Sequence, residues 1–142
     1  MKTSKEVLSS ILKTTQMGQI GIRSLLKQPL NAKLKDALKS QLSEYDKVET
    51  HANEIACHKG WEVKQLNPAI RTMTDSMTAM RLSYGDIDSK AAAMMIQGNT
   101  RGIIKGLKNL HHYKKSDEAV VELSEKLLNI LESNNKQMQG FV

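Results

Sequence analysis

Residues 31–60 read NAKLKDALKSQLSEYDKVETHANEIACHKG, and the spacing of their apolar side chains decides the fold. Leu34, Leu38, Gln41, Tyr45, Val48, Ala52 and Ile55 recur at alternating steps of four and three, the register of one buried stripe on a long helix. Asn31 supplies a side-chain oxygen for the orphan N–H groups of the first turn. Gly60 stops the helix because it reaches the left-handed conformation at little cost, and Trp61 can fold back as the apolar residue beyond the cap.

The same pattern extends in both directions. Thr3-Ser4-Lys5-Glu6 has capping-box spacing, so a first helix begins near Ser4. Its face is Leu8, Ile11, Thr15, Gly18, Ile22 and Leu25, and Gln28-Pro29 ends it. A shorter amphipathic segment opens near Asn67-Pro68, with Ile70, Met73, Met77, Met80 and Tyr84 on one side, and closes at Gly85-Asp86. Beyond Asp88 a long helix carries Ala92, Ile96, Asn99, Ile103, Gly106 and Leu110, and runs out in the polar segment His111-His112-Tyr113-Lys114-Lys115. Ser116-Asp117-Glu118 then caps a last helix with Val120, Leu123, Leu127, Ile130 and Asn134 inward, reaching about Gln139. The expectation is an all-α single domain over 1–142, a four-helix bundle. At 1.5 Å per residue, the segment 68–84 can carry the chain back along the bundle, making the third long helix parallel to the second. A simple up-and-down array of five helices is the topological alternative.

Composition agrees with helices and narrows the class. Aromatic residues are only 4% of the chain, which disfavours a β-rich fold. No stretch approaches the roughly 20 apolar residues of a membrane span, and the start of the chain lacks the continuous apolar run of a signal peptide, so a cytoplasmic protein without membrane partners is expected. A lone cysteine, Cys57, excludes a disulfide framework or thiolate zinc cluster and is read as a buried, inert thiol.

Gln41-Leu42-Ser43-Glu44-Tyr45, the run Ala93-Met94-Met95-Ile96-Gln97-Gly98-Asn99-Thr100-Arg101-Gly102-Ile103-Ile104, and Leu123-Ser124-Glu125-Lys126-Leu127-Leu128 together resemble the ferritin-like superfamily. They are similar to small bacterial ferritin-like proteins, some of them related to spore coat F proteins. The resemblance implies a ferritin-like four-helix bundle with one long crossover that contains an additional helix. Catalytic members hold two irons with a Glu from each of two helices and Glu-x-x-His from the other two. Here the first helix offers only Glu6, Glu44 is followed three residues on by Lys47, no acid lies between Asp88 and Asp117, and Glu122, Glu125 and Glu132 have no histidine beside them. No di-iron site and no cofactor are expected.

Thr15, Gln41 and Asn99 interrupt apolar stripes, with Gln16 beside Thr15 and Tyr45 one turn from Gln41. In the crossover topology they fall at similar heights and form a neutral interior layer that fixes register, or a small polar pocket for a ligand or water. His51, Glu54 and His58 share a helix face at i, i+3 and i+7, a donor set suited to zinc or nickel. Arg101, Lys105, Lys108, His112 and Lys115 form a positive line that reads as a solvated face, with an anion or DNA as its functional ligand. Gly98, Gly102 and Gly106 recur every four residues, and each costs about 1 kcal/mol relative to alanine unless a helix approaches closely. Met73, Met77, Met80, Met94 and Met95 fill core or make an adaptable surface. No nucleophile–base constellation, phosphate loop or dinucleotide fingerprint is present, so no enzyme is expected. The functional expectation is a non-catalytic bundle acting through self-association, as a homo-oligomer such as a dimer, or through a protein partner. The alternative is a small-ligand or metal carrier using the polar layer or the histidine face, and third an anion or DNA binder.

Overall fold

A computed structural model describes residues 1–142 as five helices: α1 Ser4–Leu26, α2 Ala32–Lys59, α3 Ala69–Arg81, α4 Ile87–His111 and α5 Glu118–Gln139. The boundaries follow local chemistry. The Thr3 hydroxyl accepts from Glu6 N at 3.1 Å, Asn31 Oδ1 accepts from Leu34 N at 2.8 Å, and Asp117 Oδ1 accepts from Ala119 N at 3.1 Å. Gly60 sits at φ 69°, and Trp61 N donates to Ala56 O at 2.9 Å, closing α2 as its glycine requires.

Contacts between ends give the chain's direction. Lys2 N donates to the His112 carbonyl at 2.6 Å and Asn109 Nδ2 to Ser10 Oγ at 2.6 Å, so α1 and α4 are antiparallel. Asn31 donates through its backbone N–H (3.0 Å) and Nδ2 (2.7 Å) to the Asp88 carboxylate, joining the start of α2 to the start of α4. Lys59 meets Asp117 at 3.0 Å, joining the end of α2 to the start of α5. Gln16 Oε1 accepts from Leu66 N at 3.1 Å, and Ser24 Oγ donates to the Thr74 carbonyl at 3.5 Å, so segment 61–81 rises alongside α1 in its direction. The chain therefore crosses back over the bundle, and α2 and α4 run parallel.

Going round the bundle, α1 packs on α2, α2 on α5, α5 on α4 and α4 on α1, α1 also meets α5 across the core, and α3 packs chiefly on α1. The four long helices share a core of 26 buried apolar residues with Tyr113 and Leu82 at its edges. Tyr113, read as part of a polar tail, is buried, and its hydroxyl bonds Ser4 Oγ and accepts from Asp117 N.

Several expectations are corrected. Met73, Met77 and Met80 of α3, and Tyr84 beyond it, face outward, because α3 buries Thr78 instead and meets the end of α1 through the Thr74 carbonyl and the Asp75 carboxylate. Cys57 is exposed, lying off the Ala52–Ile55 stripe. In α4 the buried set is Ala91, Ala92, Met95, Asn99, Gly102 and Asn109, leaving Ile96, Ile103 and Leu110 half-buried. Small residues bring α4 close to α1 and α5 and turn the larger ones to the flank. The glycines divide accordingly. A Cβ on Gly102 would stand 3.0 Å from Thr14 Cγ2, and one on Gly106 would stand 2.8 Å from Leu128, so both mark close helix approach. Gly98 has nothing within 4 Å and is not a packing glycine.

Gly18 is tightest against a rigid group: its Cβ would lie 2.8 Å from the Tyr45 ring. Gly18→Ala is expected to destabilise by about 1–3 kcal/mol through overpacking. Gly98→Ala, entering open space with better helix propensity, is expected to stabilise by up to about 1 kcal/mol. Urea unfolding measures both, and equal signs for the two would contradict this assignment.

Candidate functional site

The interior polar groups form separate clusters rather than one layer. At the centre the Tyr45 hydroxyl donates to Asn99 Oδ1 at 3.1 Å and accepts from Asn134 Nδ2 at 3.3 Å, linking α2, α4 and α5. Gln41 Nε2 donates to Gln137 Oε1 at 2.8 Å towards one end of the bundle. Thr15 is fully buried but spends its hydroxyl on the Ile11 carbonyl of its own helix, at 2.7 Å. Gln16 is not interior: its Nε2 donates to Glu49 and to Gln65 Oε1 while its Oε1 takes Leu66 N, so it latches the crossover onto α1. Gln19, absent from the expected layer, is buried and donates to Asp46 at 2.8 Å.

Burial pushes the Tyr45 hydroxyl up from 10.0 to about 12. The hydrogen bond from Asn134 opposes that rise and the charge of Glu44 adds to it. Tyr45 is thus a neutral donor, and pairing its one proton with Asn99 Oδ1 leaves the rest of that amide unused. Four buried polar atoms have no partner: Gln41 Oε1, Asn99 Nδ2, Ser124 Oγ and Asn135 Oδ1. Among these residues only Asn99 lines the bundle's largely apolar cleft.

That cleft, of about 280 Å³, lies between α1 and α4. Its apolar walls are Met17, Met95, Leu131 and Leu66, the last held there by the Gln16 latch. Gly98 leaves room where a side chain would otherwise fill, Gly102 lets the backbone of α4 approach Thr14 and Leu131, and Asn99, only 3% exposed, lines the cleft between them. Lys13, Arg101 and Lys105 stand around it, and none of them belongs to an ion pair. The lining contains no carboxylate, imidazole or thiol. Lys13 was not legible as a site residue, since nothing in the sequence joins it to the α4 cations.

The remaining candidates do not assemble. His51, Glu54 and His58 are exposed, and no group of three or more His, Cys, Asp or Glu side chains can hold a metal ion. Two helical turns separate the histidines, about 10.5 Å of rise, and no neighbouring helix adds a ligand. The basic line is broken too: α4 ends at His111, His112 is its cap, and Lys115 lies in the turn at φ 55°. Only Arg101 and Lys105 of that line reach the cleft. No helix is long and apolar enough to cross a membrane. No family model, curated protein or solved structure matches the chain.

The unfolded chain releases the Tyr45 proton near pH 10 and the folded chain only near 12, so this group's contribution to stability is present below pH 10 and is lost between those values. Tyr45→Phe should cost about 2 kcal/mol at neutral pH by stranding Asn99 Oδ1 and Asn134 Nδ2. It should also lose on the order of 2–3 kcal/mol less than the parent between pH 10 and 12. Denaturant midpoints across that range check both effects.

Proposed function

We propose that this protein is a non-catalytic, ferritin-like helical bundle that binds a small molecule in the α1–α4 cleft. The observation that carries the reading is that Asn99, one of the residues lining a mostly apolar cleft, has a buried side-chain nitrogen without a partner. A buried donor without an acceptor costs about 1–3 kcal/mol, and a cleft with apolar walls and one convergent polar group is the usual form of a ligand site. A volume of about 280 Å³ suits a small ligand. Binding is preferred to turnover because the lining's Lys13 and Lys105 amines and Thr14 hydroxyl have no carboxylate or imidazole among the lining residues to activate them. The ferritin-like kinship is supported by the four long helices and by the helix-bearing crossover between the two hairpins.

Self-association is a second reading, supported by the charge of opposite grooves. The α2–α5 groove carries Glu44, Glu122 and Glu125 with Lys126, whereas the α1–α4 side carries Lys13, Arg101 and Lys105. Two copies can therefore meet groove to groove with opposite sign.

For the ligand reading, millimolar 1-hexanol is expected to shift the methyl NMR signals of Met17 and Met95 and to leave Met73 and Met80 in place. Gly98→Leu, which enters the open space, should abolish the shift. Movement confined to the α3 methionines would contradict the site. For self-association, the light-scattering mass should fall towards the monomer as salt rises from about 0.05 to 0.5 M. A monomer at low salt would remove that reading.

A further inference from the structure

Three cations from two helices crowd one small cleft without a single acid among its lining residues. Each of the three ion pairs in the chain lies elsewhere, at Arg23–Asp46, Lys27–Asp75 and Lys59–Asp117. Lys13, Arg101 and Lys105 thus bring like charge to one opening with no ion-pair partner, while Asn99, which lines the same cleft, carries a donor that lacks an acceptor. Both deficits have the same remedy. A carboxylate supplies negative charge to the cations and a lone pair to Asn99 Nδ2.

The rest of the cleft fixes the body of the ligand. Met17, Leu66, Met95 and Leu131 are aliphatic or thioether walls with no aromatic face among them, so they favour a flexible aliphatic chain over a stacked ring. Met17 and Met95 are unbranched and can move to admit an oxygen to the nearly covered amide. We infer that the ligand is a small amphipathic monoanion, a carboxylate on a short aliphatic chain, recognised by Lys13, Arg101, Lys105 and Asn99. This rests on the reading that the α1–α4 cleft binds a small molecule, and it adds the charge and shape of that molecule.

Octanoate and 1-octanol share a chain length and differ in charge, so they separate the two claims. Each is titrated into the full-length protein while the Met17 and Met95 methyl signals are followed, for the parent chain, for Arg101→Ala/Lys105→Ala, and for Gly98→Leu. Octanoate should bind about tenfold tighter than octanol. That advantage should vanish in the double variant, with octanol unaffected, and Gly98→Leu should abolish both. A purely apolar cleft prefers the alcohol, so octanol binding as well as or better than octanoate overturns the anion inference and leaves the binding site standing. Octanoate binding that ignores Arg101 and Lys105 overturns their assignment. If neither compound moves the two methyl signals, the binding reading fails together with the inference.

Discussion

Tyr45 holds the bundle together in a way no other side chain does. It stands on α2, its ring lies against Gly18 of α1, and its hydroxyl bonds Asn99 of α4 and Asn134 of α5. A fully buried phenol must place its hydroxyl on partners, and these partners exist only when all four long helices hold one register. Apolar packing alone would tolerate a helix sliding by a turn. The two asparagines and the glycine do not, which is the specificity that a buried polar group confers on a helical core.

The same network explains why one polar atom is left over. A tyrosine hydroxyl donates once, and here it donates to Asn99 Oδ1 while accepting from Asn134. Asn99 is thereby held by its oxygen with its nitrogen unmatched, next to Gly98, which keeps α4 bare and leaves the cleft open. Register, cleft and spare donor are thus consequences of one arrangement. The cations at the rim are placed by the antiparallel packing of α1 on α4, which brings Lys13 to the level of Arg101 and Lys105.

Much of the fold was legible in the sequence because independent signals coincided. In α1, α2 and α5 the caps Thr3, Asn31 and Asp117 open the same segments whose apolar steps of three and four mark the buried face. Periodicity shows that a helix has an apolar side, not that anything covers it, which is why the α3 methionines read as packed and stand exposed. Size misled in α4, where Ile96, Ile103 and Leu110 outweighed the smaller Ala91, Gly102 and Asn109 that bring the backbones together. Of the expected polar layer, Thr15, Gln41 and Asn99 are buried where they interrupt their stripes, as is Tyr45 beside them, but they do not share one layer, and Gln16 faces outward to latch the crossover. The cleft itself was illegible, since it depends on the absence of a neighbour at Gly98 and on a lysine from another helix. The mid-helix glycine Gly98 was visible, but its lack of a packing partner shows only in the structure.

In the proposed ligand reading, Asn99 Nδ2 is the atom that meets the ligand's oxygen. Its side-chain amide signal, followed by ¹⁵N NMR during an octanoate titration, should move saturably and in step with the Met17 and Met95 methyl signals, while the Asn134 amide stays fixed. Methyl signals that move while the Asn99 amide does not would contradict it.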